Sequence, residues 1–240
     1  QGSGKAVLIL DALSLRELSI LLGAAEERNI EPVLVKITGS ECPSTTDQFA
    51  KALGSSSRSA LSNNMKPSTF ELFGGNCYTD LVNLPFEDCT IPPTPNVVIW
   101  HSWLDDLIHL HHKIPDQIAT LTLRVLQDDG FWSFINKLRQ GRNVVITSDH
   151  GYAVGRRFSS EVEDPDAIEI LRTTFGASRY TATSETWQKR FMPPIVMDYN
   201  NYHVVMGQRK WKVQGGFPHV CHGGLSLLEV AVPYMELPAI

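Results

Sequence analysis

The sequence predicts an α/β domain: a central, mostly parallel sheet with helices on both faces and small inserted elements. Three observations carry that expectation. Short continuous runs of apolar, often β-branched residues recur, as in strands buried on both faces of a parallel sheet. Segments with leucines at helical spacing lie between them, and the two kinds alternate along the chain.

Taken in order, "AVLILDA" at residues 6–12 is a buried strand that ends in an acid. "LRELSILLGAAEERN" follows with Leu15, Leu18, Leu21 and Leu22 on one helical face, and "EPVLVKIT" returns to strand character. Residues 54–94 dissolve into Ser, Asn, Gly and Pro, including "GSSSRSALSNNMKPS". That length exceeds an ordinary connection and reads as a lid or mobile insertion. "NVVIWHS" is a strand, "DQIATLTLRVLQDDGFWSFINKLRQG" one or two helices broken near Asp129 and Gly130, and "RNVVITSD" another strand. The final third carries shorter strand signals in "PPIVMDY", "YHVVMG" and "KWKVQ", a turn at "YNNY", and a closing strand "LEVAVPYMEL". No internal repeat interrupts this order.

At 240 residues and 42% hydrophobic content, the chain suits a single domain spanning 1–240. Its first four residues, "QGSG", read as an artificial leader on a piece of a longer protein, so further domains are expected as neighbours. A net charge of -5 supplies no overall basic field, and a nucleic-acid partner would need a local basic groove. Cys42, Cys77, Cys89 and Cys221 are scattered without a CxxC pair, which favours a reducing, cytoplasmic setting over a disulfide framework or zinc ribbon. No apolar run reaches the roughly 18 residues that would span a bilayer, so no membrane partner is expected.

Ligands of open α/β sheets collect at the carboxyl ends of the strands. Three of the expected strands end in metal-ligand residue types. Asp11 closes the first, Asp149 and His150 close "VVITSDH", and Asp105 follows "VVIWHS" with His109 four residues on, one helical turn away. "FPHVCHGG" later adds His219 and His222. Carboxylates and imidazoles without thiolate pairs suit catalytic zinc or manganese. Each piece has a structural alternative. Asp11 can be a helix cap, His109, His111 and His112 a solvated helix face, and "SDHG" a turn with Gly151 at positive φ. What those alternatives leave unexplained is the coincidence of acid and histidine at several strand ends.

"LILDALSLRE", "CPSTTDQF", "DDLIH", "ITSDHG" and "HGGLSLLEVAVP" occur in the order, and roughly at the spacing, of PglZ domains. The chain resembles that family from Asp11 to Pro233, and through it the alkaline phosphatase superfamily of metal-dependent phosphatases, phosphodiesterases and phosphomutases. The resemblance implies an alkaline phosphatase-like fold and two divalent ions, zinc first and manganese second. Asp11, Asp149 and His150 would hold one ion together with a nucleophilic hydroxyl; Asp105, His109 and His222 would hold the other. A "P-S-x-T" pattern falls on Pro43, Ser44, Thr45 and Thr46, which makes Thr46 the nucleophile. The repeated threonine leaves Thr45 as the near alternative, and Ser44 a more distant one. A threonine hydroxyl is a weak nucleophile near neutral pH, and a divalent cation lowers its pKa. A helix start at "TTDQF" would also offer backbone N–H groups to a phosphate oxygen. His150 and His222 must be neutral to ligate, so metal binding should weaken as pH falls through the histidine range.

The activity so implied is a phosphodiesterase acting on nucleotide or oligonucleotide phosphodiesters, with nucleic acid or a cyclic oligonucleotide as candidate substrates. The rival is an interaction module of a phage-defence assembly such as BREX, or of a signalling assembly, with catalysis lost. Completeness of the ligand set favours the enzyme. Sulfatase chemistry lacks its motif, since Cys42 is followed directly by Pro43. Arg156 and Arg157 could grip a phosphodiester or simply be solvated. His219 is a substrate contact, a support for a ligand, or a loop histidine. Trp100, Trp103, Trp132, Trp187 and Trp211 read as packing residues rather than base-stacking platforms.

Overall fold

The computed structural model describes residues 4–112, 114–154, 162–183, 192–214 and 219–240. β1 (Gly4–Leu10) lies inside a six-stranded sheet with β2 (Leu34–Gly39), β3 (Tyr78–Val82), β4 (Asn96–His101), β5 (Arg142–Thr147) and β11 (Ala231–Leu237), in the order β2-β11-β5-β1-β4-β3. β1 is parallel to β4 and β5, and β4 to β3; β11 is antiparallel to both β5 and β2. Strand alternation divides the side chains of β1 between two cores. Ala6, Leu8 and Leu10 join the larger core, and Val7 and Ile9 the smaller one.

The larger core is closed by α1 (Leu18–Glu27), α3 (Trp103–His111), α4 (Pro115–Gln127) and α5 (Asp129–Arg139), which contribute Leu21, Leu104, Ile118 and Phe134 among others. On the smaller core sit α2 (Thr46–Ala52), through Phe49 and Ala50, and the buried Leu61 and Phe70. Helices therefore cover both faces. The break between α4 and α5 falls at Asp128, whose carboxylate accepts the Gly130 N–H at 2.7 Å and caps α5.

Residues 54–94 are part of this framework rather than a lid over it. They supply edge strand β3, and Leu61, Phe70, Phe86 and Cys89 are buried. Side-chain bonds fasten the segment to β3: the Thr79 hydroxyl donates to Leu61 O at 2.8 Å, and Asp80 accepts the Asn63 N–H at 2.8 Å. Its apolar residues are too widely spaced to show a period, which is why the sequence reads as loop.

The closing "LEVAVPYMEL" is not one strand. Its first residues lie in a short helix, α7 (Leu227–Val230), started by a capping box between Ser226 and Glu229, and the strand begins at Ala231. "KWKVQ" forms no strand either. Trp211 packs instead with Leu171 and Phe175 of α6 (Pro165–Phe175), beside a small antiparallel sheet of β7 (Tyr180–Ala182), β9 (Tyr202–Val205) and β8 (Val196–Tyr199). Asn200 and Asn201, at φ 45° and 65°, make the two-residue hairpin turn between β8 and β9. β6 (Ala153–Val154) pairs with β10 (Val220–Cys221), which brings the chain after His150 beside the chain before His222. Trp100, Trp132 and Trp211 are buried, as packing residues should be; Trp187 lies outside the described residues. Among the described residues no helix is long and apolar enough to cross a membrane.

Candidate metal centre

Register sets the site. Leu10 pairs with His101 and Ile9 with Thr147, so β1, β4 and β5 end at one level. Asp11 follows β1, Asp149 and His150 follow β5, and Asp105 and His109 stand on α3 just after β4. Asp11 is held by its N–H to His101 O at 3.0 Å and by Trp100 Nε1, which donates to Asp11 Oδ2 at 3.0 Å. Ala12 adopts φ 65°, a left-handed conformation that costs a non-glycine residue about 1 kcal/mol or more. Its N–H donates to Asp149 Oδ1 at 3.0 Å, so the strained residue holds the second carboxylate.

Gly151 does not adopt a positive φ, contrary to the turn reading of "SDHG". Glycine is required there for close approach: a Cβ would stand 2.2 Å from Leu228 O. The Gly151 N–H donates to Glu229 O at 2.8 Å, which joins the His150 turn to α7.

Three adjacent hydroxyls have three different partners. Ser44 Oγ donates to Gly224 O at 2.8 Å and accepts the Gly223 N–H at 3.0 Å. Thr45 is the N-cap of α2, and its Oγ1 accepts the Gln48 N–H at 3.4 Å. Thr46 Oγ1 instead faces the acidic cluster, 3.2 Å from His150 Nε2 and 3.4 Å from Asp11 Oδ1.

Donor atoms of Asp11, Asp149 and His150 lie within 4.8 Å of one another, as do those of Asp105, His150 and His222. His109 Nε2 reaches Asp105 Oδ1 at 3.4 Å from a largely exposed position. The rings of His150 and His222 stack at 4.4 Å. Burial, with Asp149 as the next cause, pushes the Asp11 carboxyl well above the usual carboxylate range, and burial lifts Asp149 to about 6. Burial, with His150 and His109 nearby, lowers His222 to about 3, which leaves a neutral imidazole of the kind that ligates. Asp149 Oδ2, Asp105 Oδ1 and His222 Nδ1 are buried without a hydrogen-bond partner among the described residues. Unpartnered buried carboxylate oxygens are costly in apolar surroundings. Clustered around the imidazoles of His150 and His222, they are a donor set that fits divalent cations.

Several residues here carried no signal in the sequence. Arg58 opens a 3-10 segment (Arg58–Asn64), and its guanidinium contacts Asp11 and lies 3.5 Å from Asp105. Arg179 and Glu229 form a fully buried ion pair at 2.7 Å, and Glu229 accepts the N–H groups of Gly224 and Ser226 beyond His222. A cavity of about 400 Å³ opens over the cluster, lined by Thr46, Arg58, Asp105, His109, Tyr180 and His222. His219 is half-buried and belongs to neither ligand group. Arg156 and Arg157 lie outside the described residues.

Residues 87–237 match the family described as the BREX system PglZ alkaline phosphatase-like domain. No functionally curated protein matches the chain. Among solved structures, phosphonoacetate hydrolase from Sinorhizobium meliloti 1021, in complex with phosphonoacetate, is 12% identical; the match covers 99% of this chain and 90% of that one with a TM-score of 0.52. Murine ectonucleotide pyrophosphatase/phosphodiesterase 5 is 14% identical over 97% of this chain and 87% of that one, with a TM-score of 0.54. An inactive threonine-to-alanine variant of the murine protein, in complex with AMP, matches equally well, at 14% identity, 98% and 87% coverage and a TM-score of 0.54. At these identities the likeness establishes a shared alkaline phosphatase-like α/β fold.

Proposed function

Because the chain belongs to the family of BREX system PglZ alkaline phosphatase-like domains, we propose that it is a metal-dependent phosphoesterase acting on nucleotide or oligonucleotide phosphodiesters. In this reading Asp11, Asp149, His150 and Thr46 hold one divalent cation, and Asp105, His109 and His222 a second, zinc or manganese. The observation that carries the reading is the position of Thr46 Oγ1, without a backbone bond among the described residues and within 3.4 Å of both Asp11 and His150 beneath an open cavity. The AMP complex of the murine threonine variant supports a nucleotide as the substrate class.

Bound divalent cations would supply positive charge for the phosphoryl oxygens and lower the pKa of the attacking hydroxyl. Thr46 Oγ1, on losing its proton, would attack phosphorus and expel one ester oxygen, which leaves as the alcohol with that proton; water would then cleave the resulting threonine phosphodiester, releasing a phosphomonoester and restoring the Thr46 hydroxyl. Its place at the first residue of α2 fixes the direction of attack, and the Thr45 cap holds that first turn in place. Ser44, bonded to both Gly223 and Gly224, keeps the nucleophile turn at constant distance from His222. Other proteins of a defence system, and further domains of a longer parent chain, are the proposed partners. The test is elemental analysis after loading with zinc or manganese, together with hydrolysis of bis-p-nitrophenyl phosphate. Metal uptake near two equivalents with metal-dependent cleavage is expected. A folded chain that takes up no metal and cleaves nothing would point instead to an interaction module.

A further inference from the structure

Arg58 is the one permanent cation among the described residues lining the cavity, which otherwise presents Asp47, Asp105, two histidines and hydroxyl side chains. Its Nη1 contacts Asp11 Oδ2 and lies 3.5 Å from Asp105 Oδ2. It thus bridges one carboxylate from each of the two ligand groups. A guanidinium has five donors and no lone pair, so it satisfies carboxylates but cannot share their oxygens comfortably with a divalent cation of like charge. The same planar fork matches a phosphoryl group, which a diester substrate would bring into this cavity. The backbone that presents it is firmly built: Leu61 is fully buried, and Leu61 O and the Asn63 N–H are bonded to Thr79 and Asp80. Exchange between partners therefore needs only rotation of a long, half-buried side chain.

We propose that Arg58 is an exchangeable counter-ion: it neutralises Asp11 and Asp105 in the metal-free chain, then turns to hold a non-bridging phosphoryl oxygen of the substrate when cations take those carboxylates. Metal loading and substrate binding are thereby coupled through one side chain. This inference rests on the two-cation reading above and adds a substrate ligand and an order of events to it.

The experiment is calorimetric titration of the purified chain with manganese, followed by titration of the loaded chain with inorganic phosphate, for wild type, Arg58→Met and Arg58→Lys. Arg58→Met should bind manganese roughly tenfold more tightly, because no guanidinium need be displaced, and phosphate about tenfold or more weakly. Arg58→Lys, which keeps the charge and loses the fork, should bind manganese like wild type and phosphate with intermediate affinity. Opposite signs for metal and phosphate separate exchange from a purely structural ion pair, whose loss would weaken both. Weakening of both ligands in Arg58→Met, or phosphate affinity unchanged in either variant, overturns the proposal. Should Arg58→Met fail to fold, the phosphate affinity of Arg58→Lys at unchanged Tm decides. A wild-type chain that binds no manganese would sink the two-cation reading itself, whereas normal metal binding with an indifferent Arg58 sinks this inference alone.

Discussion

Thr46 Oγ1 lies 3.2 Å from His150 Nε2, while the hydroxyl of neighbouring Thr45 caps α2 through the Gln48 N–H. Two residues of the same type, one apart, thus have different work. Thr46→Ala should lower turnover by roughly a thousandfold or more with metal content nearly intact. Thr45→Ala should keep turnover but lose about 1 kcal/mol of stability with the cap, seen as a lower Tm. The reverse pattern would transfer attack to Thr45, and full turnover in both variants would leave a water molecule as the nucleophile.

His222 is placed against both His150 and Asp105, its ring stacked on the first and its Nε2 3.9 Å from Asp105 Oδ1. Removing it takes away a neutral donor from one group and leaves Asp11, Asp149 and His150 in place. His222→Ala should take up close to one equivalent of divalent cation where wild type takes up two, measured by elemental analysis after dialysis. Undiminished uptake would remove His222 from the ligand set.

The strand ends were legible because each lies where a continuous apolar run meets an acid, as Leu10 meets Asp11 and Thr147 leads to Asp149. Asp105 and His109 were legible because one helical turn separates them. Arg58 was not. It approaches Asp11 only because β3 lies beside β4 and carries the preceding segment over the sheet edge, a long-range pairing that no local pattern encodes. The helix before β11 was hidden for a different reason: Ser226 and Glu229 form a capping box inside a run whose Leu and Val residues suit a strand equally well. The role of Gly151 was misread because its need is set by Leu228, far away in sequence.

Gly151→Ala should be costly although the backbone conformation there is ordinary. The added Cβ would stand 2.2 Å from the carbonyl oxygen of Leu228, a backbone atom that cannot swing aside. A loss of about 2–4 kcal/mol is expected in chemical denaturation, and metal uptake should fall as well because His150 and α7 are forced apart. A variant as stable as wild type would mean that α7 yields freely.

Arg179 and Glu229 give the clearest stability test outside the ligands. Both side chains are buried, and Glu229 also orders Gly224 and Ser226. Arg179→Met would leave the carboxylate buried without its cation, at a cost of about 3–5 kcal/mol. Restoring much of that loss by the double change Arg179→Met with Glu229→Gln would show that the uncompensated charge, rather than lost packing, is the cause. A double variant no better than the single one would assign the cost to packing.

Glu17 should make stability fall as pH rises. Its carboxyl is buried, accepts from the Tyr152 hydroxyl at 2.7 Å on Oε1, has no hydrogen-bond partner on Oε2 among the described residues, and is raised by burial to about 7. In the unfolded chain a glutamate titrates near about 4.3. Between those two values the folded state holds the proton that the unfolded state has released. The contribution is therefore complete below about pH 4.3 and is lost as pH rises through about 7. A shift of this size corresponds to roughly 3–4 kcal/mol. Glu17→Gln imitates the protonated acid, so it should match wild type near pH 4 and exceed it near pH 8. Urea denaturation at the two pH values measures both. A wild-type chain equally stable at each, or a Gln variant that retains the decline, would show that Glu17 is ionised in the folded protein, its charge offset by the Tyr152 hydroxyl and by the nearby Arg16 guanidinium, which both favour the ionised form.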